Sequence, residues 1–288
     1  MGDLTVLSKR LMASFCGVLL FAVASDPSPA ATLVDRLNNH FEGGLGLEHL
    51  SYRELNPQGG EYLDSELGTL VVPALAFAYD GNLGFIDHVR AELGGQVAFG
   101  NVTYTGALQD LNSGATVPYR GTSGETFTNL QLRLGKGVSL FGDDLLTLYG
   151  EAGMNYWNRK GAEGTPYGYP EEYRHRHWAG GLEYQLALSS RFAVMAAASY
   201  GRTFGAKMDA ALRYVPTSTF ELGSSPLRQY RLKVVYATSR EGYVAVEGYH
   251  IHYQYGASAI DANGLMEPAS RTTRVGARIV FGYSYGGH

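Results

Sequence analysis

Between residues 128 and 137 the chain reads TNLQLRLGKG, in which Leu130, Leu132 and Leu134 alternate without a slip with Asn129, Gln131 and Arg133. Successive side chains of a strand point to opposite faces, so the stretch predicts a β-strand with one apolar and one polar face. Segments of this kind recur at residues 41–54, 68–79, 85–105, 125–136, 145–158, 173–188, 192–203, 227–238, 243–255 and 272–285. Ten of them in sequence call for an all-β fold. What remains is whether their apolar faces meet in a core or turn outward.

The spacers decide that question. Tight connections occur at Asp80-Gly81-Asn82, Phe141-Gly142-Asp143-Asp144, Ser189-Ser190-Arg191 and Ser239-Arg240-Glu241-Gly242, and longer polar ones at 56–67, 107–124, 160–172, 205–226 and 257–270. A soluble sandwich has no reason to put every long loop at one end, whereas membrane barrels pair short periplasmic turns with long outer loops. Tyr230, Leu232, Val234 and Tyr236 then face lipid while Gln229, Arg231 and Lys233 face the lumen. Val275, Ala277, Ile279 and Phe281 oppose Arg274 and Arg278 in the same way. Apolar faces often end in a large ring (Phe99, Trp178, Tyr184, Tyr200), as in the aromatic girdles of such barrels.

Two segments are irregular. Residues 68–79 are apolar on both faces and contain Pro73, which cannot donate to a ladder. Residues 243–255 change parity near Gly248, which predicts a β-bulge turning Glu247, His250, His252 and Gln254 inward and Tyr249, Ile251 and Tyr253 to lipid. Past the amino-terminal leader the sequence carries no convincing helical periodicity.

That leader is Lys9-Arg10, then LMASFCGVLLFAVA, then small residues. Fourteen apolar residues make a helix of about 21 Å, short of a hydrocarbon core of about 30 Å, and the order of features is that of a secretory signal peptide. Residues 1–30 are accordingly expected to be removed, after Ala24 or Ala30, and residues 31–288 to form the barrel. The one cysteine, Cys16, lies in the leader, so no disulfide is expected in the exported part. No basic cluster suits nucleic acid, and the formal charge is only −4.

The expectation is thus a transmembrane antiparallel up-and-down β-barrel of about ten strands, with eight or twelve as alternatives, in the bacterial outer membrane. Its partners would be outer-membrane lipid and lipopolysaccharide, and the barrel-assembly machinery during insertion; no cofactor is implied.

Parity sends Glu42, Glu48, Glu92, Glu151, Glu183 and Glu247 inward, with Arg90, Arg133, Arg231, Lys233, Arg274 and Arg278. Isolated charges in a narrow lumen are costly, so equal numbers of the two signs predict a paired network, with Glu92 and Glu151 nearest to Arg133. Barrels near eight strands are filled by their own side chains, and ten should leave at most a thin water path. Two alternatives stand beside a structural or surface role: a narrow solute channel, and a hydrolase at the outer mouth. His175 and His177, with His250 and His252 under the bulge reading, have the same-face spacing of metal ligands. Against that stands a polar lining in which imidazoles hydrogen-bond nearby glutamates. Gly44, Gly46, Gly94, Gly276 and Gly282 are read as room for barrel curvature or large lumen side chains. The loop at 205–226 is read as a cap over the mouth or a binding surface.

With GGQVAFGNVTYTGALQD at 94–110 and MEPASRTTRVGARIVF at 266–281, the chain resembles small Gram-negative outer-membrane β-barrels, in particular a ten-stranded family. The resemblance covers the exported chain and rests on barrel-wall motifs, which imply a fold and no chemistry. The size is also similar to that of the omptin proteases, whose paired acidic residues and Asp-x-His element at the outer rim activate water. This sequence has no Asp-x-Asp, and its one Asp-His neighbour pair, Asp87-His88, falls at the periplasmic end. The final FGYSYGGH departs from a terminal aromatic residue, with Phe281 or Tyr285 in its place.

Overall fold

A computed structural model of the chain describes residues 31–285, except 58, 60–61, 110–115, 143, 162–164, 166–167 and 212–216. The leader and both cleavage positions lie outside the described residues. A short helix, α1 (Ala31–Asn38), precedes β1 (His40–Glu54), β2 (Ser65–Leu83), β3 (Ile86–Gln109), β4 (Thr116–Val138), β5 (Asp144–Gly161), β6 (Tyr169–Ala187), β7 (Phe192–Ala210), β8 (Ser218–Leu222), β9 (Pro226–Ala237), β10 (Gly242–Tyr255) and β11 (Ser270–Ser284). Neighbours in sequence pair antiparallel from β1 to β7, β7 pairs with β9, and β11 returns to pair with β1. The ring is a closed ten-stranded barrel. β8 stands outside it, extending the outer end of β7 as a five-residue partner, so part of the expected 205–226 loop is strand.

The barrel is inside out relative to a soluble protein. On β4, Leu134 is 57% exposed and Arg133 only 8%. On β5, Leu148 and Met154 face outward while Glu151 and Asn155 are buried. Soluble folds bury the opposite set, so the outward apolar surface requires lipid. The strands exceed what lipid needs: β3 has 24 residues and β4 has 23, where about 9–11 cross a bilayer. Above Phe99 the outward side chains of β3 become Asn101 and Thr103, and above Leu130 those of β4 become Thr128 and Thr126. The upper wall therefore stands in water.

This change of surroundings corrects the bulge reading. β10 runs through Gly248 in one register with both β9 and β11. Tyr249, Ile251, Tyr253 and Tyr255 point inward, and His250, His252 and Gln254 outward. The polarity pattern flips because the exterior passes from lipid to water, while the interior passes from a charged layer to an aromatic one. Register shifts occur elsewhere, between β2 and β3 at Gly81/Leu83 and between β6 and β7 at Arg174/Arg176, the latter beside Gly205 with its φ of +58°. Gly205 there occupies a left-handed conformation that a side chain would strain. Around Pro73 the register of β2 against β3 is the same on either side, so the proline is tolerated with its ring outward.

α1 is a second correction, since no helix was expected. Leu33, Val34 and Leu37 are buried against Leu145, Met195, Val235 and Val280 at the periplasmic end of the lumen. The Asn38 amide donates to the Val34 carbonyl at 3.0 Å, and His40 Nδ1 lies 2.6 Å from the Leu37 carbonyl, which ends the helix. Eight residues are too few for a 3.6-residue period to declare itself.

Candidate functional site

Inside the barrel the side chains form layers above α1. Lowest, Lys233 on β9 pairs with Glu42 on β1, whose carboxylate also accepts the Tyr243 hydroxyl from β10. Next, Arg90 pairs with Glu92 and with Glu183, and Arg231 pairs with the same two carboxylates, at 3.3 Å and 2.5 Å. These four residues close a ring of alternating charge across β3, β6 and β9, which are not neighbours in the barrel wall. Arg133 extends the ring through Glu92 (3.3 Å) and Glu151 (2.6 Å). Gln229 and His177 both reach the other oxygen of Glu151.

Higher up, Arg278 joins Glu247 at 2.6 Å and donates to Gln96 across the lumen at 3.2 Å. Arg274 joins Glu48 at 2.6 Å, donates to Asn129 at 2.7 Å and stacks over Phe127. Eleven charged positions therefore sit in the lumen with a partner each: Glu48, Arg90, Glu92, Arg133, Glu151, Glu183, Arg231, Lys233, Glu247, Arg274 and Arg278. Glycines make the room. A Cβ on Gly276 would lie 2.3 Å from the ring of Tyr249, whose hydroxyl donates to Glu48. One on Gly153 would meet His177 at 2.4 Å, on its way to Glu151.

Above the charges lies an aromatic layer. Trp157 stacks between Phe127 and Tyr173 at centroid distances of 4.9 and 4.6 Å, and Tyr173 stacks on Tyr255 at 5.7 Å. Leu70 and Val72 of β2 join this cluster, which is why that strand is apolar on both faces. Met208, Phe220 and Leu222 of the 205–226 segment pack into it from above. Between the aromatic and charged layers remain a cavity of about 60 Å³ and a neighbouring one of about 50 Å³, both touching Gln96, Gln229, Arg231 and Arg278.

The outermost layer centres on Arg159. Its guanidinium contacts Glu54 (3.1 Å), Asp64 (2.8 Å), Glu66 (2.9 Å) and Glu171 (2.8 Å). Glu267 accepts the Tyr173 hydroxyl at 2.8 Å, and Glu125 accepts the Trp157 indole N–H. With this many carboxylates around one cation, burial and the nearby Glu171 charge push the Glu267 carboxyl up to about 8. None of these residues stood out in the sequence, because Arg159 falls one residue past the expected strand end at 158. Parity carried on through Glu151, Asn155 and Trp157 would have placed it inward.

The four histidines do not converge. His175 is buried with Nδ1 2.6 Å from the Tyr255 hydroxyl, and His177 is at Glu151. His250 and His252 face outward on β10, where His252 contacts Thr273 at 2.9 Å. Among the described residues no cluster of three or more ligating side chains is arranged for a metal. Ser199 is buried and, among the described residues, its hydroxyl has no hydrogen-bond partner.

No protein-family model matches the chain, and no curated protein matches its sequence. Solved structures do. The outer membrane protease OmpT from Escherichia coli aligns at 12% identity over 86% of this chain and 97% of its own, with a TM-score of 0.55. The toluene transporter TodX from P. putida aligns at 11% identity over 91% and 93%, with a TM-score of 0.36. The translocator domain of the autotransporter NalP from Neisseria meningitidis aligns at 9% over 98% and 95%, also at 0.36. The likeness to OmpT carries the fold, that of an outer-membrane β-barrel. Asp87, the aspartate of the Asp-His pair, is engaged with Lys136 at the lower rim, and His88 with Asp80.

Proposed function

We propose that the chain is a non-enzymatic protein of the Gram-negative outer membrane, serving a structural or surface role with a lumen filled by its own side chains. The observation that carries this reading is the charge ring of Arg90, Glu92, Arg231 and Glu183, which ties three separated strands across the barrel axis. A conducting pore needs a continuous hydrated path, and about 16 strands leave one where eight do not. Here α1 below and the Trp157 stack above add two further layers across the same axis. The cavities near Arg231 and Arg278 favour one second reading, a thin path for very small solutes.

Osmotic swelling of proteoliposomes separates the two readings. The full chain, reconstituted, should admit small sugars no faster than empty vesicles do. Sugar-dependent swelling would establish the channel instead. The membrane assignment is checked separately, by fractionation of expressing cells and heat-modifiable gel mobility; recovery as a soluble periplasmic protein would overturn it.

A further inference from the structure

The outward side chains just above the lipid-facing belt are not the same all the way round. At this height the outward residues of β2 to β5 are uncharged: Thr69, between Val71 and Leu67, then Asn101, Thr128 and Asn158. On β6, β7 and β9, which are adjacent in the wall, an arginine stands there each time: Arg176 next above Trp178, Arg202 between the exposed rings of Tyr200 and Phe204, and Arg228 next above Tyr230. The pairing draws them together. Arg202 lies opposite Trp178, and Arg228 lies opposite Tyr200, so each arginine is the cross-strand partner of an exposed ring. Arg202 is thereby the diagonal neighbour of both Arg176 and Arg228, and diagonal neighbours are about 7–8 Å apart, within reach of one another's long side chains. On β10, His252 is opposite Arg228, and on β11, Arg271 is opposite Arg53 of β1.

This arc carries no acid. Among the described residues, Arg176, Arg202, Arg228 and Arg271 form no ion pair, whereas the next cations up, Arg174 and Lys207, are matched by Asp209 (2.7 Å) and Glu221 (2.9 Å). Like charges facing each other across strands, as Arg271 and Arg53 do, destabilise a sheet unless an anion sits between them. Guanidinium groups bind phosphate through paired N–H donors, and rings beside them mark the headgroup level of a bilayer.

We propose that this half-ring binds the phosphate groups of an anionic glycolipid in the outer leaflet, with Arg176, Arg202 and Arg228 as its centre and His252 and Arg271 as its flank. The site rests on the membrane reading above, since it takes its height from the lipid belt. The neutral arc on β2 to β5 then contacts lipid without charge selection, so the barrel carries its bound glycolipid on one side.

The test uses the full chain purified in neutral detergent, with Trp178 fluorescence as the readout and diphosphoryl lipid A as the probe. Saturable binding is expected, weakening as NaCl is raised. The Arg202→Gln/Arg228→Gln variant should bind roughly thirtyfold more weakly, at about 1 kcal/mol per arginine. Dephosphorylated lipid A should bind no better to wild type than the phosphorylated probe does to the variant. Equal affinity for variant and wild type, or salt-independent binding, would overturn the site. Inorganic pyrophosphate binding as tightly as lipid A would overturn the lipid as its occupant. Heat-modifiable mobility of the variant is measured alongside: its retention shows an intact barrel, so a lost affinity is then charged to the site and not to the membrane reading. If the variant does not fold, the salt dependence and the dephosphorylated probe on wild type decide the matter alone.

Discussion

Arg274 on β11 donates from Nε to Glu48 Oε1 on the adjacent β1 at 2.6 Å, and neither side chain has any exposed surface. Such a pair is strongly destabilising to break and nearly neutral to replace as a unit, because the lone survivor is a buried, uncompensated charge. Arg274→Ala should therefore cost about 3–5 kcal/mol in guanidinium unfolding of the detergent-solubilised barrel, and Arg274→Met with Glu48→Leu should recover most of that. Equal losses in the single and double variants would show that the pair is not what holds β11 to β1.

The two faces of β4 should respond in opposite ways. Leu132 is exposed within the apolar belt and Gln131 lines the lumen cavity. Leu132→Arg should destabilise the folded barrel by about 2–4 kcal/mol and deplete its heat-modifiable form, whereas Gln131→Ala should stay within about 0.5 kcal/mol. A harmless arginine at 132 would mean that this face does not meet lipid.

The outer layer should depend on pH. Glu267 lies in the segment before β11, and burial first, then the Glu171 charge, lift its carboxyl from 4.5 to about 8. A group whose folded value is raised binds more protons when folded. It therefore stabilises the fold below the unfolded value and loses that contribution as pH rises through the folded one. Hydrogen exchange in the 256–269 segment, corrected for intrinsic rate, should accelerate between pH 6 and pH 9, and Glu267→Gln should remove most of the change. A pH-independent segment in wild type would contradict the raised value.

The barrel wall was legible in the sequence because lipid outside and charge inside impose a period of two without exception on stretches such as 128–137. Parity alone also put Arg133 on the same face as Glu92 and Glu151, and short turns set against long spacers gave the closure. Legibility failed where the surroundings change along one strand. On β10 the exterior turns from lipid to water above Gly248, so His250 and His252 look inward by polarity while pointing outward in fact. Arg159 and its carboxylates escaped for a related reason: above the belt, charge no longer marks the lumen, and strands run past the point where their amphipathic signal ends. α1 escaped because eight residues with three buried apolar side chains, Leu33, Val34 and Leu37, are too short a run to show a helical period.

The lower seal depends on that helix. Leu33→Asp with Leu37→Asp should detach α1 from Met195 and Val235, leaving strand content by circular dichroism unchanged while the periplasmic end becomes accessible. Proteolysis after the helix should then proceed at a rate that wild type does not show. Equal protection in both proteins would mean that α1 does not plug the lumen.

The central claim, a lumen closed by its own charge network, is tested most directly by single-channel recording of the full chain in planar bilayers. Insertion verified by heat-modifiable mobility should give a flat baseline at neutral pH, and current only when the ring is opened by Arg231→Ser with Glu183→Ser. Reproducible conductance steps from the wild-type barrel would contradict it.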